Sequence, residues 1–294
     1  MGRQHVWRLQ VSIAVVVVLL AACDTGTPTA PPAVVPPDID TLPADDPAAS
    51  VDAEGSTPAR PVVAETLPYA EVDEQLVYGH FAFPADMVDP LPGVIVIHER
   101  WGLDDGSRAL ADRIAGQGYV VLAVDLYGGE VAADATAAKD LMRRVVEHPE
   151  LANDNLRQAH QFLLDSGQAP RIGALGWSFG GGWALNAALL MPADIDAAVI
   201  YYGTVTNNEE RLAPLNAPIL GLFGDNDRGV TMESVSSFER ALENLEKDYE
   251  IEIYAGAGHA FADPGAANYE AVAAERAWSR AIAFLDQHLN VPID

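Results

Sequence analysis

Residues 171–190 read RIGALGWSFGGGWALNAALL and carry the strongest local signal in the chain. The first part, Arg171–Leu175, is short and apolar, which is typical of a buried strand, whereas Phe179–Leu190 is long enough for a helix. A sharp turn between them needs small residues two positions before and after Ser178, and both are glycine. The pattern therefore predicts a strand–turn–helix that presents Ser178 as a nucleophile at the end of the strand.

Short apolar runs alternate with segments of helical spacing on both sides of this motif. Strands are predicted at Gln75–Pro84, Gly93–Ile97, Tyr119–Val124, Arg171–Leu175, Ala197–Tyr202, Pro218–Phe223 and Tyr249–Tyr254. Helices are predicted at Ser107–Gln117, Ala132–Val146, Leu151–Leu164, Phe179–Leu190, Met232–Leu245 and Tyr269–Leu289. This alternation implies an α/β fold, in which a mostly parallel, doubly wound sheet has helices on both faces. One domain, residues 69–294, contains all of these elements.

Serine at its ordinary pKa is a weak nucleophile, so it needs a base, and the base needs an acid to orient it. His259 follows the last predicted strand on a loop with glycines, from which its ring can reach across to the serine. Asp227 follows the strand before and would hold the imidazole in the correct tautomer. Asp225, in the same loop, is the alternative acid. The order Ser178, Asp227, His259, with spacings of 49 and 32 residues, predicts a catalytic triad.

Six segments of the chain resemble the dienelactone hydrolase family of the α/β-hydrolase superfamily. They are His98–Gly102, Asp125–Tyr127, Gly176–Gly181, Tyr201–Gly203, Gly224–Asp227 and Gly256–Phe261. The resemblance covers about residues 67–289 and implies the α/β-hydrolase fold and the hydrolysis of an ester or lactone through an acyl-enzyme. It also implies an oxyanion hole made by the backbone N–H groups of Phe179 and Arg100.

The chain departs from the family pattern at two places in the site. The best-known members carry cysteine at the position of Ser178, and a glutamate matching Glu99 takes part in activating that thiol. A serine nucleophile needs no such device, so Glu99 either acts in catalysis or orders its loop. Those members also use arginines to hold the carboxylate of dienelactone, but the loops after Tyr127 and His259 supply no basic residue here.

The charge balance favours an uncharged substrate. The chain has 43 acidic and 17 basic residues and a formal net charge of −26, so an anion would approach against the field of the protein. The same balance argues against nucleic acid as a partner. We therefore expect small neutral esters or lactones as substrates. A dienelactone hydrolase proper, or carboxymethylenebutenolidase, is the alternative, with Arg100 or Arg228 holding the carboxylate.

Several aromatic residues beside these motifs are expected to line a small open cleft or, in part, to pack in the core: Trp101, Tyr127, Trp177, Tyr202 and Phe261. About 15 residues separate Tyr202 from Pro218, which is too few for a lid domain. A peptidase or acyltransferase, or a binding protein without catalysis, is a further alternative on this scaffold. We predict neither metal nor cofactor, since His98-Glu99 lacks the second histidine of a zinc helix and no phosphate-binding glycine loop occurs.

Residues 1–22 are predicted to form an export signal. Arg3 and Arg8 precede the apolar run Val11–Leu20, which is too short to span a bilayer comfortably. Residues 20–23, Leu-Ala-Ala-Cys, resemble the lipobox of bacterial lipoproteins, in which the cysteine receives a diacylglyceryl group. We therefore expect Cys23, the only cysteine, to anchor an exported protein to a membrane on its periplasmic or outer side. An ordinary cleaved signal is the alternative.

Residues 23–68 differ in composition from the rest of the chain. Between Asp24 and Pro68 lie ten of the 20 prolines, eight acidic residues and a single basic one. Such a segment cannot bury enough apolar surface to offset the entropy of ordering it. We interpret it as a disordered tether behind the lipidated cysteine, with last residues that could add an edge strand. A small proline-rich domain is the alternative.

Overall fold

The computed structural model of the protein describes residues 57–290. Its strands are β1 (Val62–Val72), β2 (Gln75–Pro84), β3 (Gly93–Ile97), β4 (Val120–Val124), β5 (Ile172–Trp177), β6 (Ala197–Tyr201), β7 (Ile219–Gly224) and β8 (Tyr249–Tyr254). Its helices are α1 (Asp105–Ala115), α2 (Ala135–Glu147), α3 (Pro149–Asp165), α4 (Phe179–Leu190), α5 (Glu209–Leu212), α6 (Met232–Asn244) and α7 (Ala271–Leu289). The predicted signal peptide, Cys23 and the tether before residue 57 lie outside the described residues.

The strands form one sheet in the order β1-β2-β4-β3-β5-β6-β7-β8. β2 pairs antiparallel with both β1 and β4, whereas every neighbouring pair from β4 to β8 is parallel. All residues of the five central strands, β3 to β7, are buried, because helices cover both faces of the sheet. The prediction of a mostly parallel α/β sheet is confirmed.

The period of two along each strand divides the core between the two faces of the sheet. On β3, Ile95 and Ile97 belong to a cluster with residues of α2, α3, α4 and α6. Val94 and Val96 point the other way, into a cluster with residues of α1 and α7. The loops at the carboxyl ends of the parallel strands therefore meet at one edge between these helical layers, which is where an open α/β sheet binds its ligands.

Side-chain caps explain why two helices begin at positions other than those predicted. The carboxylate of Asp104 accepts the N–H of Ser107, which starts α1 at Asp105. Asp134 accepts the N–H groups of Thr136 and Ala137, so α2 starts three residues later than expected. Aspartate is a favoured cap because its oxygen satisfies N–H groups that have no intrahelical acceptor.

The folded part begins before residue 69, the expected start of the domain. β1 starts at Val62 and pairs with β2 from Val62 opposite Pro84 to Val72 opposite Gln75. The last residues of the predicted tether thus form the edge strand of the sheet. Within residues 57–290, no helix combines the length and the apolar character that a membrane crossing requires.

Candidate active site

Ser178 occupies a sharp turn between β5 and α4. Its backbone angles, φ 50° and ψ −114°, lie in a region that residues with side chains rarely adopt. The turn is so tight that a Cβ on Gly176 would lie 2.2 Å from the carbonyl oxygen of Gly180, and one on Gly180 would lie 2.1 Å from that of Ile97. The two glycines are therefore required by contact between backbones, and the strained turn lifts the Ser178 side chain above the edge of the sheet.

The structure brings the three predicted triad residues into one chain of hydrogen bonds. Ser178 Oγ lies 2.9 Å from His259 Nε2, and His259 Nδ1 lies 2.8 Å from Asp227 Oδ2. A carboxylate can only accept, so Nδ1 carries the proton and Nε2 accepts from the serine hydroxyl. All three residues are buried. This geometry allows the imidazole to withdraw the serine proton.

The loop after β7 distinguishes Asp227 from Asp225. The second carboxylate oxygen of Asp227 accepts the backbone N–H groups of Gly229 and Val230 at 2.8 and 2.9 Å, which holds the group in place. Asp225 is exposed, and its Oδ1 accepts the N–H of Gly256 at 2.6 Å. Asp225 thus links the loop after β7 to the loop after β8, and Asp227 alone contacts the imidazole of His259.

The resemblance implies an oxyanion hole made by two backbone N–H groups, those of Phe179 and Arg100. Phe179 is the first residue of α4, where N–H groups have no intrahelical acceptor and the helix dipole is positive. The second N–H, that of Arg100, belongs to the peptide between Glu99 and Arg100. The carbonyl oxygen of that peptide lies 2.6 Å from His98 Nδ1 and accepts the N–H of Gly102 at 3.3 Å. Because these contacts fix the carbonyl, they also fix the direction of the Arg100 N–H.

His98 has a structural role that the sequence did not reveal. The N–H of Leu126 donates to its Nε2 at 3.1 Å, so Nδ1 of the neutral ring carries the proton and donates to the Glu99 carbonyl. Burial lowers the pKa of His98, which keeps the ring neutral. The adjacent Tyr127 hydroxyl donates to the Arg100 carbonyl at 3.2 Å. The loop after β4 therefore holds the loop after β3 in place. In the sequence, only the two family-like motifs at residues 98–102 and 125–127 pointed to these loops, and neither indicated that they contact each other.

The sequence pattern that defines the dienelactone hydrolase family matches residues 77–289. The chain belongs to this family. An Escherichia coli K12 protein provisionally named carboxymethylenebutenolidase is 32% identical over 223 residues, covering 71% of this chain and 82% of the relative. A Bradyrhizobium protein provisionally named 2-oxo-3-(5-oxofuran-2-ylidene)propanoate lactonase is 31% identical over 217 residues, covering 68% and 85%. A crystal structure of a Klebsiella pneumoniae protein, provisionally called a dienelactone hydrolase, is similar with a TM-score of 0.70 and 26% identity, covering 78% of this chain and 100% of that one.

The predicted cleft residues of this dienelactone hydrolase family member separate into two groups. Trp101, Trp177 and Tyr202 line a cavity together with Glu99, whose Oε1 lies 3.5 Å from the Tyr202 hydroxyl. Tyr127 and Phe261 pack inside the protein instead. Tyr127 is tied to the loop after β3, and Phe261 lies between the rings of Tyr202 and Tyr254.

The two arginines considered for holding a carboxylate are placed differently. The guanidinium of Arg100 lies over the ring of Trp101, 4.7 Å from its centroid, in a buried position. Arg228 is exposed on the loop that carries the triad aspartate. Among residues 57–290, no cluster of three or more histidines, cysteines or acidic residues is arranged to hold a metal ion.

Proposed function

We propose that this protein is a serine hydrolase that cleaves small uncharged esters or lactones, with Ser178 as nucleophile, His259 as base and Asp227 as the residue that orients the base. The chain of hydrogen bonds from Ser178 Oγ through the imidazole to Asp227 carries the proposal. Membership of the dienelactone hydrolase family supports hydrolysis, and the name of the Bradyrhizobium relative supports a lactone as one kind of substrate.

The reaction passes through an acyl-enzyme. His259 Nε2 takes the proton of Ser178 as Oγ bonds to the carbonyl carbon, and Asp227 stabilises the imidazolium that forms. The tetrahedral intermediate then expels the alcohol oxygen, which receives the proton from His259. In a lactone this alcohol stays attached to the acyl chain. A water molecule, activated by the same imidazole, hydrolyses the acyl-enzyme and restores the serine.

The negative charge that develops on the carbonyl oxygen needs hydrogen-bond donors. We assign this role to the N–H groups of Phe179 and Arg100, since the first lies at the start of α4 and the second belongs to a peptide held by His98 and Gly102. Loss of one such donor typically costs about 10²–10³ in rate. Glu99 takes no step in this mechanism.

Charge supports a neutral substrate over dienelactone. The net charge of −26 opposes an anion, and the guanidinium of Arg100 is already engaged with Trp101. The name of the Escherichia coli relative favours the alternative, a carboxymethylenebutenolidase. Turnover of dienelactone that equals or exceeds that of a neutral lactone of the same ring size would support this alternative.

The triad is tested by covalent labelling with a fluorophosphonate. We expect the folded protein to be labelled, Ser178→Ala to lose all labelling, and Ser236→Ala, at an exposed position of α6, to be labelled normally. A folded wild-type protein that is not labelled would favour the binding-protein alternative. Rates on chromogenic esters and on matched peptide amides separate an esterase from a peptidase.

We also propose that the protein is exported and anchored by a lipid on Cys23. The lipobox-like residues 20–23 and the proline-rich segment 23–68 behind them support this arrangement. Expression in a bacterium that processes lipoproteins, followed by labelling with radioactive palmitate, tests it. We expect label and membrane association for the wild type and neither for Cys23→Ser. An unlabelled wild-type protein would indicate an ordinary cleaved signal.

A further inference from the structure

A series of buried hydrogen bonds begins at the edge strand β1. The hydroxyl of Tyr69, on β1, donates to Asn155 Oδ1 of α3 at 2.7 Å. Asn155 Nδ2 donates in turn to the backbone carbonyl of Asp125 at 2.8 Å. The N–H of Asp125 donates back to the Tyr69 hydroxyl at 3.1 Å, which fixes the hydroxyl from a second side. All three residues are buried, so these bonds lie in a medium of low dielectric constant.

The series continues through the peptide that joins Asp125 to Leu126. Its carbonyl accepts from Asn155, and its N–H, that of Leu126, donates to His98 Nε2 at 3.1 Å. The other ring nitrogen of His98, Nδ1, donates to the carbonyl of Glu99 at 2.6 Å. From Asn155 onward each group accepts a hydrogen bond on one side and donates one on the other, in the same direction along the series.

The last member of the series is the peptide between Glu99 and Arg100. In a planar trans peptide the N–H points away from the carbonyl, so the Arg100 N–H lies on the side opposite His98. This loop adjoins the first turn of α4, since a Cβ on Gly180 would lie 2.5 Å from the His98 carbonyl oxygen. We call the series from Tyr69 to the Arg100 N–H the hydrogen-bond relay.

We propose that the hydrogen-bond relay positions and polarises the Arg100 N–H, and that Tyr69, Asn155 and His98 are positioning residues for the oxyanion hole. The proposal rests on the proposed function, in which that N–H stabilises the oxyanion. Successive buried hydrogen bonds polarise one another, and a donor that is fixed before the reaction stabilises charge as it develops. Tyr69 lies outside residues 77–289, so the match to the family does not include the first member of the relay.

Removing the hydroxyl of Tyr69 tests the proposal. We expect Tyr69→Phe to lower kcat for a small neutral ester about three- to tenfold and to change KM less than about twofold, because the oxyanion forms only after the substrate has bound. The loss stays below that of a deleted donor, since the Arg100 N–H itself remains. Tyr78→Phe, at an exposed tyrosine of β2, is the matched control and should change neither value.

A trifluoromethyl ketone supplies a measurement that partial unfolding would not change. Its carbonyl carbon bonds to Ser178 Oγ, so the bound inhibitor carries an oxyanion like that of the tetrahedral intermediate. We expect its Ki to rise in Tyr69→Phe by the same factor by which kcat/KM falls. A smaller active fraction would lower the measured kcat and leave Ki unchanged, and that result would overturn the relay.

His98→Asn interrupts the relay at a later member. The asparagine amide can still donate to the Glu99 carbonyl, but no acceptor remains for the Leu126 N–H. We therefore expect Tyr69→Phe to cause no further loss of kcat when it is combined with His98→Asn, since the two changes act on one series. Equal losses from Tyr69→Phe in the presence and absence of His98→Asn would contradict the relay.

Folding and the proposed function are monitored in the same samples by circular dichroism and by fluorophosphonate labelling of Ser178. If Tyr69→Phe does not fold, Asn155→Leu interrupts the relay at its second member and replaces it in each comparison. A wild type that is neither labelled nor active would contradict the proposed function. An active wild type, with a folded Tyr69→Phe variant whose kcat and Ki are unchanged, would overturn the relay alone.

Discussion

At the scale of single residues, the backbone of Ser178 stores strain that serves the position of its hydroxyl. A residue held at φ 50° and ψ −114° costs about 1–3 kcal/mol unless it is glycine. Glycine avoids this cost, but its larger conformational entropy in the unfolded state lowers the free energy of unfolding by about 0.5–1 kcal/mol. We therefore predict that Ser178→Gly has a free energy of unfolding about 1 kcal/mol higher than that of Ser178→Ala, with both variants inactive. Denaturant unfolding of the two variants measures this difference, and a less stable glycine variant would contradict the strain.

Asp227 and Asp225 form a matched pair in one loop. Asp227→Asn offers an amide to His259 Nδ1 and so favours the wrong tautomer, for which we expect kcat to fall about 10⁴-fold. Asp225→Asn keeps an oxygen that can accept the N–H of Gly256 and should change kcat little. Steady-state rates on a neutral ester distinguish the two. A large loss of kcat in Asp225→Asn alone would show that Asp225, and not Asp227, orients His259.

At the scale of elements, α4 is positioned by the glycines at its start. A Cβ on Gly180 would meet the carbonyl oxygens of Ile97 and His98 at 2.1 and 2.5 Å, so α4 would have to move away from β3. A Cβ on Gly182 would find its nearest atom, the carbonyl oxygen of Thr204, at 3.4 Å. Both residues are helical, so the two positions differ mainly in the space around them.

This difference predicts opposite effects on stability. Gly180→Ala should lower the free energy of unfolding by about 3 kcal/mol or prevent folding, since overpacking against the backbone cannot be relieved by a rotamer change. Gly182→Ala should raise it by about 0.5–1 kcal/mol, the usual gain for alanine over glycine inside a helix. Thermal or urea unfolding gives both values. A Gly182→Ala variant that is less stable than the wild type would mean that the space around residue 182 is smaller than its distance from Thr204 indicates.

At the scale of the whole molecule, the acidic surface should make stability depend on salt. Only two of the 17 basic residues are lysines, Lys139 and Lys247, and 43 residues are acidic. Repulsion among like charges destabilises the folded state and is screened by salt. We predict that the melting temperature rises between dilute buffer and molar NaCl near pH 7, by about 2–4 °C for each kcal/mol of repulsion removed.

The control for this prediction is the same measurement near the isoelectric point. At about pH 4.3 the net charge approaches zero, so screening has little repulsion to remove and the NaCl effect should largely disappear. A melting temperature that does not change with salt at pH 7 would show that the acidic residues are too far apart to repel strongly. The scarcity of lysine would then reflect the base composition of the gene.

Apart from the edge strand β1 and the short helix α5, the sequence by itself determined the order of the strands and helices, because periodicity and turn chemistry are local. β2, β3, α4 and β8 have the predicted ends, and the glycines around Ser178 specified the turn between β5 and α4. The same local signals placed Asp227 and His259 on loops after β7 and β8. Since parallel strands end at one edge, the order of the elements placed these residues at the same edge of the sheet.

Only the tertiary structure decided which of these side chains contact each other. Asp225 and Asp227 lie two residues apart in one loop, and the loop after β8 supplies the partner of each carboxylate: Gly256 for Asp225 and His259 for Asp227. The placement of Tyr127 and Phe261 in the interior and the contact of His98 with Leu126 likewise depend on contacts between segments distant in the chain. The cavity lined by Trp101, Trp177 and Tyr202 has the same origin, because strands, loops and helices that are distant in the chain supply its walls.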